Sequence, residues 1–352
     1  MLRTAILIAG CLLLARGAAA QDVDYSLDAT VTFYGDNTEF FNPFRDGETI
    51  LGTHVFVVGE ARTSERLAIR AGVFGNQRFG SRKEFEDVQP VITLAIGSAR
   101  SRLLLGTIRT GRRAFGMGPD RGGSHALLPP MQVETLAFTR PWEAGVQWLV
   151  DTPRLKHESW INWQRMGNSH ERERLDAGAV SRLKVHRAIT LGGDFFIVHE
   201  GGQQTSNGHV GDSMVAALGG EVGGPAGSLN RLSLEAFLMG SRHDPNRTNG
   251  ALTRAGFATF LRLAAAKDSW RAHAILFRGD DYLADEGDGN YLSVRMDRTY
   301  YRNLRDYGEV GFTRVFPLAT KSWLEASLRG HRVERHYDYS FRILAVAKLR
   351  ID

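Results

Sequence analysis

The stretch Asp24–Phe33, with the sequence DYSLDATVTF, alternates polar and apolar side chains at every second position. One face is apolar and consists of Tyr25, Leu27, Ala29, Val31 and Phe33. The other face is polar and consists of Asp24, Ser26, Asp28, Thr30 and Thr32. Successive side chains of a β-strand point to opposite faces, so the pattern predicts a strand with one apolar and one wet surface. A shift of one residue would put the carboxylates on the apolar face, so the pairing register is well specified.

The same alternation recurs to the end of the chain, for example in Trp142–Asp151 and Phe341–Ile351. Runs of about ten residues are long enough for a tilted strand to cross a bilayer. Short turns such as Asp151–Arg154 alternate with long polar segments such as Gly111–Pro141. Short turns on one side and long loops on the other are typical of transmembrane barrels.

The sequence therefore predicts an all-β fold, a closed antiparallel transmembrane β-barrel of about 16 strands. With both termini on the same side, the strands are expected at 24–34, 48–62, 65–78, 88–98, 101–110, 142–151, 154–165, 171–184, 187–199, 210–222, 228–240, 251–265, 269–279, 303–316, 321–334 and 338–352. Two further strands, Met131–Thr139 and Tyr291–Thr299, would raise the count to 18. The runs 88–110 and 305–316 alternate poorly.

The N-terminus has the three parts of a secretory signal: the cation Arg3, the apolar run Ala5–Ala15 and a small-residue cleavage site ending at Ala20. We expect residues 1–20 to be a cleaved signal peptide and 21–352 to be a single barrel with a long third loop at 111–141. Ile8–Cys11 offers a competing lipoprotein processing site. Cys11 is the only cysteine, so the mature chain would have no disulfide.

Charge excludes one class of partner. The net charge is +5, and removal of residues 1–20 takes away two arginines and no acids, leaving about +3. The arginines are spread along the strands rather than clustered. We therefore exclude nucleic acid as a partner.

These features together resemble the porin-like outer-membrane β-barrels of Gram-negative bacteria. The resemblance covers nearly the whole mature chain, is architectural and points to no specific family. Such barrels commonly end on an aromatic residue, whereas this chain ends Leu349-Arg350-Ile351-Asp352, with Ile351 in the outward position. The resemblance implies the bacterial outer membrane as the location. It also implies the lipid bilayer, lipopolysaccharide and the barrel-assembly machinery as partners, and it leaves a homo-oligomer open.

The resemblance also implies that the third loop folds inward and narrows a pore. The pore-lining or constriction candidates are Arg112, Arg113, Asp120, Arg121 and Glu134 in this loop, and Arg231, Arg254, Arg262, Arg271, Arg329, Arg342 and Lys348 on later strands. Cations on one wall and acids on the other would set up a field favouring anionic solutes. Two alternatives stay open: a loop packed on the rim, and a salt-bridged interior that blocks transport.

The function predicted on this basis is a channel for small hydrophilic solutes, including anionic ones. The alternatives are a polysaccharide-export or surface-assembly barrel that binds acidic glycan, and a structural barrel with a closed lumen. No cofactor and no metal are expected, and the acidic loop Asp280–Asn290 is predicted to be solvated rather than to hold calcium.

Catalysis is the weakest hypothesis. Ser124 with His125 and Ser241 with His243 are the serine and histidine pairs considered, but adjacent strand residues point to opposite faces. The chain has neither a Gly-x-Ser-x-Gly nor a His-Glu-x-x-His motif. The sequence therefore predicts a protein that is not an enzyme, with no catalytic residues.

Overall fold

Sixteen antiparallel strands close into one barrel in which β1 pairs with both β2 and β16. The computed structural model describes residues 23–83, 85–110, 124–201, 208–293 and 303–352. The strands in these ranges are β1 (Asp24–Glu39), β2 (Glu48–Ser64), β3 (Leu67–Arg78), β4 (Asp87–Gly97), β5 (Ser101–Arg109), β6 (Trp142–Asp151), β7 (Leu155–Arg165), β8 (Glu173–His186), β9 (Ile189–Gly201), β10 (Gly211–Ala226), β11 (Leu229–Asp244), β12 (Arg254–Lys267), β13 (Trp270–Asp280), β14 (Leu304–Ala319), β15 (Ser322–Val333) and β16 (His336–Ile351). The predicted barrel and its sixteen strands are confirmed.

The alternative of eighteen strands fails where the structure tests it. Met131–Thr139 forms turns and the short helix α1 (Leu136–Thr139) instead of a strand. Tyr291–Ser293 is also non-strand, and the rest of that predicted strand lies outside the described residues, as does the predicted signal peptide at 1–20. No helix in the described ranges has the length and apolarity to cross a bilayer.

The outward face of the wall is apolar, as the alternation predicts. Leu218, Leu238 and Leu276 are among its most exposed side chains, at 75%, 70% and 63%. Their neighbours in sequence point inward, and closure pairs every strand on both sides, so no backbone edge is left to the bilayer.

Both poorly alternating runs have a local feature. In β5, Leu104 and Ile108 are buried on the inner face, and between them Gly106 adopts a φ of 107° where a side chain would meet the carbonyl of Ile92, so glycine is required there. In β14, Arg314 faces outward and its guanidinium lies 4.5 Å from the ring of Trp270 and 4.7 Å from that of Phe316. These rings accept the charge on an otherwise apolar surface.

Two loop segments fill the lumen on the long-loop side, and we call them the plug: residues 124–141 and 281–293. His125 contacts Glu143 and Glu158 on β6 and β7, whereas Glu134 contacts Arg329 on β15, so the first segment spans the barrel from wall to wall. Leu127, Leu128, Met131, Tyr282, Tyr291 and Leu292 are buried in one cluster with inward-facing side chains of β8–β14.

The acidic loop is therefore not solvated, contrary to the prediction. Glu286 and Asp288 are buried in the plug, where Arg140 and Arg45 respectively pair with them. Because these cations come from other loops, the local sequence gave no sign of the burial. No group of three His, Cys, Asp or Glu side chains suited to a metal ion occurs in the described part of the chain.

Candidate functional site

Three neighbouring strands bring a serine, a histidine and a glutamate into line on the inner wall. Ser340 on β16 has its Oγ 2.8 Å from Nε2 of His331 on β15. On the other side of the ring, Nδ1 lies 2.8 Å from the hydroxyl of Tyr307 and 3.4 Å from Oε2 of Glu309, both on β14. Glu309 and His331 are directly opposed in the β14–β15 register. We call these four residues the serine relay.

The hydrogen-bond partners assign the tautomer of His331. The Tyr307 hydroxyl donates to Glu309 Oε2 at 2.6 Å, because an ionised carboxylate can only accept. The Tyr307 oxygen is then left to accept the proton on Nδ1. Nε2 carries no proton and accepts from the hydroxyl of Ser340. This is the arrangement in which a histidine takes a proton from a serine nucleophile.

Glu309 is fixed by further contacts around its carboxylate. Its Oε1 lies 2.7 Å from Nε2 of His273 and 3.8 Å from Nη1 of Arg329. Gly311 makes the first of these contacts possible, since a side chain there would overlap the His273 ring. Tyr307, His273 and Arg329 therefore hold the carboxylate of Glu309 in one position beside His331.

Beside the serine relay is a polar pocket of about 30 Å³, lined by Arg45, Arg329 and Arg342 together with Asp36, Glu134 and Asp288. Arg342 donates to Asp36 at 2.5 Å and lies 3.1 Å from Glu134. Arg329 donates to Glu134 at 2.7 Å, and Arg45 pairs with Asp288. The pocket has room for about one water and brings three guanidinium groups close to Ser340.

Acid is expected to weaken the plug through its paired carboxylates. Burial opposes ionisation, but Arg329 and Arg342 hold the pKa of Glu134 at about 2, below its ordinary 4.5. Burial likewise raises the pKa of Glu286. The charge and hydrogen bonds of Arg140, together with hydrogen bonds from Gln132 and Gln164, lower it to about 2. Since both folded-state values are depressed, their stabilisation is present above pH 4.5 and is lost as the pH falls toward about 2.

Urea unfolding of the barrel in detergent, followed between about pH 6 and pH 2, measures this loss. Glu134→Gln should lower stability at neutral pH and flatten the acid limb. An acid limb of unchanged steepness in Glu134→Gln would contradict the assignment.

A second buried cluster holds the start of the plug. The His125 ring stacks on Trp160 with centroids 3.7 Å apart, and its two nitrogens lie 2.5 Å from Glu158 and 2.8 Å from Glu143. Burial disfavours the charged ring, but attraction to the two carboxylates raises the pKa of His125 to about 10. With both nitrogens bound, His125 serves as an ionic clamp and not as a base for Ser124.

The predicted pore-lining residues fall into two groups. Arg112, Arg113, Asp120 and Arg121 lie outside the described residues, so no position is given for them. The others are placed on the inner side of the wall or in the plug, where most are ion-paired: Arg231 with Glu221, Arg262 with Glu235, Arg271 with Glu325, Arg329 and Arg342 with Glu134. Arg254 is exposed near the long-loop end, and Lys348 lies 5.3 Å from the Trp323 ring.

Sequence reasoning missed the serine relay. His331 and Ser340 share the inner face with Arg329 and Arg342, which the alternation identified correctly as inward. The pairing register that places Glu309 opposite His331 was not readable from the alternation. The second serine and histidine pair considered, Ser241 and His243, is used otherwise: Ser241 accepts from the Leu283 amide and His243 lies 3.2 Å from Asp285.

The closed, antiparallel, sixteen-stranded barrel has the fold of porin-like outer-membrane barrels. Three solved structures are similar: OmpT of Vibrio cholerae with loop L8 deleted (TM-score 0.57, 9% identity, 93% of this chain and 99% of that chain), OpdK of Pseudomonas aeruginosa (0.55, 10%, 93% and 99%) and the anion-selective porin of Comamonas acidovorans (0.55, 10%, 93% and 100%). At these identities the likeness establishes the fold. No curated protein sequence matches the chain.

The family of the protein is identified by its sequence and not by its fold. The model of the lipid A 3'-O-deacylase-type family matches residues 18–349, nearly the whole chain, and the protein belongs to that family. Membership of an enzyme family contradicts the sequence-based expectation that the chain is not an enzyme. The expectation is wrong because it rested on serine and histidine pairs close together in sequence, whereas a barrel can bring such groups together across neighbouring strands.

Proposed function

We propose that the protein is an outer-membrane hydrolase that removes an ester-linked acyl chain from a glycolipid of the lipid A type, with Ser340 as the nucleophile. The observation that carries the proposal is the contact of Ser340 Oγ with His331 Nε2 at 2.8 Å, backed by Tyr307 and Glu309. The family to which the chain belongs is named for this class of reaction. Export with residues 1–20 as signal peptide, and insertion beside lipopolysaccharide, are parts of the same proposal.

The residues of the relay supply a complete acyl transfer. Ser340 Oγ attacks the ester carbonyl as its proton passes to Nε2 of His331. His331 then returns that proton to the departing sugar oxygen, which leaves the acyl group on Ser340. A water attacks the acyl-enzyme with His331 again as base, so the fatty acid leaves and the serine is restored.

The arginines around the pocket fit the charges of such a reaction. A tetrahedral intermediate carries negative charge on the former carbonyl oxygen, and Arg329 and Arg342 lie beside Ser340 at the same pocket. The pocket is too small for a whole lipid, so substrate entry requires the β1–β2 loop, residues 40–47, to move aside. In this loop Phe40 packs on His331 with centroids 4.9 Å apart, whereas Phe41 is 77% exposed at the long-loop rim and suited to contact lipid.

The test is release of fatty acid from lipid A by the full chain in mixed micelles, followed by mass spectrometry of the remaining glycolipid. Ser340→Ala is expected to reduce the rate by about 10²–10⁴-fold, because it removes the nucleophile. Ser327→Ala is the matched control: Ser327 also faces inward on β15 but bonds Thr313 at 3.2 Å, away from the relay. Equal activity of Ser340→Ala and the wild type would refute the proposal.

A channel for small hydrophilic solutes, including anions, is the second candidate. The observation in its favour is the group of cations at the short-turn end of the lumen, Lys321, Lys348 and Arg350. The plug weighs against a channel, since the two pockets described between the plug and the barrel wall measure about 30 Å³ and 10 Å³. Export of an acidic glycan would need a wider cationic passage still.

The channel candidate predicts conductance steps in a planar bilayer with an anion-favouring reversal potential in asymmetric salt. The double variant Arg254→Glu with Arg262→Glu should reverse that preference. A folded, inserted protein that stays silent would remove this candidate and leave ester hydrolysis untouched.

A further inference from the structure

The lumen on the short-turn side of the plug contains a cavity of about 350 Å³. Its inner part is apolar and comes from neighbouring strands: Phe56, Val58, Val91, Leu104 and Trp142. The rings of Phe56 and Trp142 stack with centroids 4.6 Å apart and an interplanar angle of 18°. Phe74 packs behind them in the same cluster. An apolar, aromatic patch is unusual on the inner wall of a water-facing barrel, where polar side chains are the rule.

The outer part of the cavity is cationic. Lys321 lies in the β14–β15 turn, and Lys348 and Arg350 lie near the end of β16, all lining the cavity. The two carboxylates that share the lining are Asp28 and Glu60. Glu60 is engaged by Arg62 at 2.7 Å and Arg70 at 2.6 Å, and Asp28 lies 4.0 Å from Arg350. The lining thus has four cations, Arg70, Lys321, Lys348 and Arg350, against these two carboxylates, so positive charge is in excess around the cavity.

We propose that this cavity binds a single-chain amphipathic carboxylate of the fatty-acid class. The hydrocarbon chain lies against Phe56, Val91 and Trp142, where its burial removes apolar surface from water. The carboxylate lies at the mouth, within reach of the amines of Lys321 and Lys348. The volume is within the range of about 300–1,000 Å³ typical of small-molecule pockets. The inference does not depend on the proposed hydrolysis, although a fatty acid is also what such a reaction would release.

The experiment is a titration of laurate into the full chain held in detergent-free lipid nanodiscs, read by tryptophan fluorescence and by displacement of a dansyl-labelled fatty acid. Saturable binding is expected for laurate, and much weaker binding for acetate, which lacks the chain, and for dodecanol, which lacks the charge. The double variant Lys321→Glu with Lys348→Glu should weaken binding by about tenfold or more. Phe56→Ala should weaken it as well by removing half of the aromatic stack.

The control is Lys267→Glu, which makes one lysine-to-glutamate change at the end of β12, outside the cavity lining. Laurate binding that is unchanged in the double lysine variant, or equal for laurate and dodecanol, would overturn the proposal and indicate partition into the lipid. Repeating the titration in Ser340→Ala separates the two ideas, because binding in the short-turn cavity does not need a working serine.

Discussion

His331→Gln is expected to slow fatty-acid release about a thousandfold while the barrel stays folded. The imidazole is the only group within hydrogen-bond distance of the Ser340 hydroxyl in the described structure, at 2.8 Å. Glutamine keeps a polar group of similar reach at this position but cannot take up and return a proton near neutral pH. The loss is of the size found when one member of a serine relay is removed.

The double variant His331→Gln with Ser340→Ala sharpens this prediction. Groups that act as one unit are not additive, so the double variant should be no slower than the slower single variant. Rates are measured by mass spectrometry of lipid A, and heat-modifiable migration on gels checks folding. Multiplied losses in the double variant would mean that the two side chains act separately, and the relay would then be wrong.

His125→Ala is expected to lower the free energy of unfolding by about 3–5 kcal/mol, the typical cost of removing one partner of a buried ion pair. The ring is completely buried between Glu143 and Glu158, so its removal leaves two carboxylates facing a cavity beside Trp160. Because the folded pKa of about 10 is above the ordinary 6.5, the stabilisation is full below pH 6.5 and is lost as the pH rises through about 10. Urea unfolding in detergent measures both effects.

His157→Ala is the control for this variant, because His157 precedes Glu158 on β7 but faces outward and bonds Ser181 at 2.8 Å. It should cost less than about 1 kcal/mol, the usual net value of one hydrogen bond. The triple variant His125→Leu, Glu143→Gln, Glu158→Gln should recover much of the loss, since no unpaired charge remains. A loss as large in the triple variant as in His125→Ala would assign the effect to packing on Trp160 instead.

The wall of the barrel could be predicted from sequence because each strand that crosses a bilayer alternates apolar residues facing the lipid with residues facing the lumen. The predicted bounds 142–151 are those of β6. β1 was predicted to end at residue 34 but continues to Glu39. The last five residues of β1, Gly35–Glu39, include no apolar side chain on either face, so the alternation of polar and apolar residues could not reveal them as strand.

The candidate site depends on information that alternation does not carry. Period two assigns Arg329, His331, Ser340 and Arg342 to the inner face, but the cross-strand register decides which of them meet. Glu309 meets His331 through the register of the β14–β15 hairpin, and the plug brings Glu134 to Arg329 from the other half of the chain. Burial of Glu286 and Asp288 was missed for the same reason, since their partners are distant in sequence.

The ion pairs at Arg342 have a consequence for how the molecule is assembled. Asp36 belongs to the first strand, Arg342 to the last strand and Glu134 to the plug, and the three meet at one point. The guanidinium can reach both carboxylates only after the two ends of the sheet have joined and the inserted segment is inside. Closure of the barrel and insertion of the plug segment therefore stabilise each other. A barrel that closes around an empty lumen would have the Arg342–Asp36 pair but would lack the Arg342–Glu134 pair.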